Sequence, residues 1–119
     1  MDYKLNRKNE DIHREIAAMI REDIKDPRVR DRFISVVKTD LSGDGSLCKV
    51  YISSVDGLET AKEAVKGLES ASGLIRHEIG TRLRTKKTPE LRFIADNSIE
   101  YSAKIIKELE ELENGNEPD

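Results

Sequence analysis

Tryptophan is absent from this 119-residue chain, and two Phe and three Tyr are its only aromatic side chains. A core without large rings has to be aliphatic, assembled from Ile, Leu and Val. The same scarcity leaves few platforms for stacking on bases, the usual way in which single-stranded RNA is read for sequence. The single cysteine, Cys48, excludes an internal disulfide and suits a reducing compartment. It shares a strand face with Val50 and Ile52 and is expected to pack as a small buried hydrophobe. No stretch approaches the roughly 18 apolar residues of a membrane span. Met1-Asp2-Tyr3-Lys4 lacks the hydrophobic run of a signal peptide. Together these absences lead us to expect a soluble cytoplasmic protein.

What the chain has in quantity is charge, and it is unevenly placed. Arg76, Arg82, Arg84, Lys86, Lys87 and Arg92 stand against only Glu78 and Glu90, while Glu108, Glu110, Glu111, Glu113, Glu117 and Asp119 occur with no base among them. The formal net charge of -3 conceals this polarity. A basic stripe on a near-neutral body suits a polyanionic partner. The length fits one domain, residues 1–113, followed by a short acidic tail, 114–119, expected to be disordered.

Periodicity supplies the elements. Ile12, Ile16, Met19, Ile20 and Ile24 recur at helical spacing and predict a helix of about four turns, ended by Asp26-Pro27. The β-branched run from Phe33 to Leu41 and the alternation from Cys48 to Ser53 flank the turn formers Ser42 to Ser46, which predicts an antiparallel hairpin. Asp56 with Glu59 forms a reciprocal capping pattern and opens a second helix carrying Leu58, Ala61, Val65 and Leu68. That stripe loses phase at Ser70-Ala71-Ser72-Gly73 and resumes with Leu74, Ile75, Ile79 and Leu83, which predicts a kink between two helices. Leu91, Phe93 and Ala95 alternate as a third strand after Thr88-Pro89. Asn97 with Glu100 repeats the capping pattern before a last helix that carries Ile105, Ile106, Leu109 and Leu112. The order is helix, strand, strand, helix-kink-helix, strand, helix. It predicts an α+β fold with helices packed on one face of a three-stranded sheet. No exposed apolar stripe is expected, so the chain is expected to be a monomer.

If the helix continues from Gly73 to Lys87, Arg76, Arg84 and Lys87 share one face with Gly73 and Gly80. Glycines admit a bulky partner to the backbone, and cations reach past them to phosphate oxygens. A cationic run at a helix C-terminus also complements the helix dipole as an ordinary solvated face, so charge alone leaves both readings open. Catalysis has no support in the spacing. His77 has no Ser, Cys or acid placed as a partner, and His13 adjoins a core stripe. Gly43-Asp44-Gly45 lacks the Gly-Lys-Ser/Thr of a phosphate-binding loop, and no Cys/His cluster is spaced for a metal. Neither a cofactor nor an enzymatic activity is expected.

The segments Ile12-His13-Arg14-Glu15-Ile16, Asp26-Pro27-Arg28-Val29, Lys49-Val50-Tyr51-Ile52-Ser53, Ala71 to Gly80, Arg82-Leu83-Arg84 and Thr88 to Phe93 through Asp96 to Tyr101 occur in an order that resembles the ribosome-binding factor A family. The resemblance spans about residues 4 to 112. It implies a KH-like fold of the second type, in which the kink Ala71-Ser72-Gly73 stands where other members of the fold carry a Gly-x-x-Gly loop. It implies a non-catalytic maturation factor that binds free 30S ribosomal subunits and 16S rRNA near its 5′-terminal helix. Such a factor supports late maturation and rRNA processing, especially in the cold, with an assembly GTPase as a candidate partner. On this reading Arg76, Gly80, Arg82, Arg84, Lys86, Lys87 and Arg92 contact rRNA, helped by Lys4, Arg7 and Lys8. The alternative is an adaptor whose acidic end engages a basic ribosomal protein.

Overall fold

The computed structural model describes residues 3–115. Helix α1 (Tyr3–Glu22) begins well before the apolar stripe and buries Ile12, Ile16, Met19 and Ile20. It ends at Glu22, ahead of the Asp26-Pro27 expected to stop it. Asp26 accepts the Arg28 N–H at 2.9 Å and caps a one-turn helix, α2 (Pro27–Arg30), with proline at its first position. Periodicity could not reveal so short an element, whose one buried residue is Val29.

Strands β1 (Ile34–Leu41) and β2 (Leu47–Ser54) pair antiparallel, with a bulge at Val37. Asp44 ties the turn between them by accepting both the Ser42 and Ser46 hydroxyls at 2.7 Å. Strand β3 (Glu90–Ala95) joins parallel to β2, giving the order β1-β2-β3. A parallel neighbour needs a crossover, supplied here by α3 (Leu58–Ser70) and α4 (Ser72–Arg82). The break between them is Ala71, at φ -95° and ψ 6°, so the predicted kink is present and Gly73 lies inside α4.

The core is aliphatic as expected, with Phe93 its only buried ring. Ile12, Ile16, Leu68, Ile75 and Ile79 from the helices meet Cys48, Val50, Ile52 and Leu91 from the sheet. Burial pushes the Cys48 thiol up to about 11, which leaves it uncharged. Gly67 of α3 packs against α2: a Cβ there would stand 3.0 Å from Val29 Cγ2.

Two features depart from expectation. The Asp56–Glu59 cap does not form; Gly57, at φ 111°, occupies the cap position without a side-chain bond. The first N–H of α3, that of Leu58, is bonded instead by the Glu100 carboxylate at 3.2 Å. Glu100 belongs to α5 (Ser98–Gly115), whose own start is held by Asp96 and by the Ser53 hydroxyl. The second departure is α5 itself. Its first turn is anchored to the body and Ile105 is half-buried, but Tyr101, Ile106, Leu109 and Leu112 are 57–62 % exposed. The helical layer is therefore α1, α3 and α4, and the expectation of no exposed apolar stripe is wrong. Burying a Leu or Ile completely contributes roughly 1.5–3 kcal/mol, which these side chains largely forgo. The helix also runs through the boundary placed at 113, and residues 116–119 of the expected tail lie outside the described residues.

Candidate nucleic-acid interface

The α4 helix ends sooner than the cationic stripe requires. Leu83 caps it, Thr85 N–H bonds Gly80 O at 3.1 Å, and Arg84 N–H bonds Thr81 O at 3.4 Å. This pair of reversed bonds places a left-handed residue between them, usually glycine. Here that residue is Arg84, at φ 52°, the one non-glycine residue with positive φ among the described residues. Left-handed backbone costs an L-residue about 1–2 kcal/mol. Lys86 and Lys87 then lie in a loop, so the single helical face drawn from Gly73 to Lys87 does not exist.

The loop is nevertheless fixed. Arg76 donates from Nε to Pro89 O at 3.1 Å and from Nη2 to Thr88 O at 3.3 Å. Thr88 Cγ2 lies 3.2 Å from the position of a Cβ on Gly80, so that glycine receives the loop and is not bare. Thr85 and Lys87 bond each other through the Thr85 hydroxyl. From α1, Lys8 Nζ donates to Lys87 O at 3.2 Å. Sequence reasoning missed this arrangement, because its parts are 79 residues apart in the chain.

The result is a composite basic surface. Lys4, Arg7 and Lys8 line a groove with Leu83 and Thr85, beside the exposed side chains of Arg84, Lys86 and Lys87. Leu83 and Thr85 were not expected there, and nothing in their types signals it. Asp11 also lines the groove but is paired with Arg14 at 3.0 Å.

Two expected members stand apart. Arg82 is engaged by three carboxylates: Asp23, just past α1, at 2.7 Å, Glu15 of α1 at 3.3 Å and Glu78 of its own helix at 3.3 Å, so two of the three tie α4 to the α1 segment. These partners hold its guanidinium above the usual range, Asp23 contributing most, then Glu15 and Glu78. A cation so neutralised offers little to a phosphate. Arg92 points away from the core, in register with Lys49, on the sheet face opposite α1, α3 and α4. Gly73 is exposed, with nothing within 4 Å of a Cβ position. Among the described residues no three His, Cys, Asp or Glu side chains could hold a metal ion, and no helix is long and apolar enough to cross a membrane.

The family model described as ribosome-binding factor A matches residues 4–109. The chain belongs to the ribosome-binding factor A family. It is 44 % identical over 112 residues to the ribosome-binding factor A of Caldanaerobacter subterraneus, covering 94 % of this chain and 91 % of that protein. The crystal structure of ribosome-binding factor A from Thermus thermophilus is 26 % identical, with a TM-score of 0.65 over 78 % of this chain and 97 % of that one. Coordinates of the Thermus factor fitted into a cryo-EM map of a 30S complex are similar as well, at 27 % identity and a TM-score of 0.60, covering 73 % and 89 %. The α+β order read from the sequence is thus shared with solved members of the family, and the fixed loop after α4 falls inside the matched residues.

Proposed function

We propose that this protein is a non-catalytic, cytoplasmic assembly factor of the small ribosomal subunit. It binds free 30S subunits and 16S rRNA near the 5′-terminal helix, and it supports late maturation and rRNA processing, including at low temperature. An assembly GTPase is a candidate partner in release. The partner is carried over from the Thermus relative described in a 30S complex. The observation that favours RNA as the ligand is the composite surface, where cations from two distant segments meet on a loop held by Arg76 and Lys8. Arg84 strengthens the reading, since a strained backbone at a charged residue is characteristic of a functional site.

The mechanism needs no covalent step. Lys4, Arg7, Lys8, Arg84, Lys86 and Lys87 contact phosphates, and the free energy of binding favours one conformation of an rRNA element until maturation removes it. Arg76 acts by positioning the loop, and Arg82 by joining two helices. Affinity for isolated small subunits should fall with salt, with a log–log slope of about 0.7–0.9 per phosphate contact. Replacing Arg84, Lys86 and Lys87 by Glu should abolish subunit binding at moderate salt. Unaltered binding by that variant would remove this surface as the interface.

A further inference from the structure

The charge asymmetry of the sequence is a spatial asymmetry in the fold. Lys4, Arg7, Lys8 and the loop Arg84–Lys87 cluster at the hairpin end of the sheet: Leu5 lies 3.8 Å from a Cβ position on Gly45, and Glu90 N–H bonds Ser46 O at 2.9 Å. Helix α5 leaves from the other end, after Ala95 and beside Ser53. The molecule is 65 Å long and 19 Å thin. The acidic helix therefore does not fold back to neutralise the basic surface.

On α5, Tyr101, Ile105, Leu109 and Leu112 fall on one face at i, i+4, i+8 and i+11 spacing, with Glu108 and Glu113 along its two edges. Tyr101, Leu109 and Leu112 are 59–62 % exposed. An apolar stripe between carboxylates is a docking surface of defined charge. RNA is disfavoured as its occupant, because Glu108 and Glu113 would face phosphates. A second copy is disfavoured too: an α5 pair would set these acids against only Lys104 and Lys107. We propose that α5 docks a basic, apolar-faced protein segment of the assembling subunit while the opposite end of the molecule holds rRNA. This rests on the assembly-factor reading and adds a second, protein-directed contact to it.

The test compares protein-free 16S rRNA with intact small subunits as binding probes. One variant is Leu109→Ser with Leu112→Ser; the other replaces Glu108 and Glu113 by Lys. Both should weaken subunit binding about tenfold or more. The serine variant should bind free rRNA as wild type does, and the lysine variant equally or more tightly. The lysine variant decides between ligands, since acids replaced by bases must strengthen any contact with RNA. Tighter subunit binding by it overturns the proposal in favour of RNA, and unchanged binding by both variants removes α5 as a docking surface. A wild-type dimer that the serine variant dissociates would assign the stripe to a second copy and also overturn it. If wild type binds neither probe, the assembly-factor reading falls and takes this proposal with it; if wild type binds and the variants match it, only the docking fails.

Discussion

The carboxylate of Glu100, in the first turn of α5, accepts a hydrogen bond at 3.2 Å from the backbone N–H of Leu58, the first residue of α3. One side chain thereby satisfies an orphan donor on another helix and fixes where α5 leaves the body. Glu100→Ala should destabilise the fold by about 1 kcal/mol, the usual cost of losing a cap. Urea unfolding measures this. The same variant should loosen α5, which hydrogen exchange in residues 98–104 would record as faster rates.

Arg84 sets stability against binding. Arg84→Gly removes the left-handed strain and should stabilise the protein by about 1 kcal/mol. It also deletes a cation from the proposed interface, so affinity for small subunits should drop and the salt dependence become shallower by nearly one contact. A glycine variant that is both more stable and equally tight would mean that Arg84 contacts nothing.

Arg82 should behave in the opposite sense. Arg82→Ala breaks three ion pairs, two of which tie α4 to α1 and the Asp23 just beyond it, and should lower the thermal midpoint, by an amount that shrinks as salt screens exposed charges. Subunit affinity of the folded variant should stay close to wild type. A large affinity loss without loss of stability would return Arg82 to the interface.

Two carboxylates contribute to the acid limb of stability. Arg28, through its side chain and its backbone N–H, holds Asp26 at about 2, below the ordinary 3.8. Bonds from Ser42 and Ser46 hold Asp44 at about 2 as well. A depressed carboxylate contributes stability that is complete above its unfolded value, near 3.8, and is lost as pH falls through about 2. Asp26→Asn and Asp44→Asn should each be less stable than wild type near neutrality, with the difference closing towards pH 2. Denaturant midpoints across this range test it; a constant difference would show that ionisation is not the cause.

Glycine positions separate packing from docking. Gly67→Ala would put a Cβ 3.0 Å from Val29 Cγ2 and 3.2 Å from Asp26 Cγ, and should destabilise the protein because the packed α2 segment has to shift to admit it. Gly73→Ala meets nothing within 4 Å and should gain about 0.5–1 kcal/mol from helix propensity. If Gly73→Ala binds subunits as wild type does, the kink acts through the angle set at Ala71 and not through a bare backbone. Melting curves and a binding titration on the two variants settle both points.

Local pattern made most of the elements legible. The stripes of Ile12 to Ile20 and of Ile75 and Ile79, the alternation of Cys48, Val50 and Ile52, and the loss of phase at Ala71 all report which side of each element must avoid water. The capping motifs placed the starts of α3 and α5 but not their bonds, because Glu100 takes the Leu58 N–H, and Asp96 and the Ser53 hydroxyl take those of Ser98 and Ile99. Helix α2 escaped because one turn carries no period.

The sequence alone determined the element order, the aliphatic core and the separation of basic from acidic residues, since these follow from side-chain type and spacing along one chain. Only the tertiary structure decided which cations act together. Lys8 meets the backbone of Lys87, Arg82 is taken by three acids, Arg92 faces the other side of the sheet, and α5 stands clear of the body. The physical reason is range. Periodicity acts within a few residues, whereas a salt bridge or a loop pinned by a remote arginine depends on parts of the chain that only folding brings within 3–4 Å.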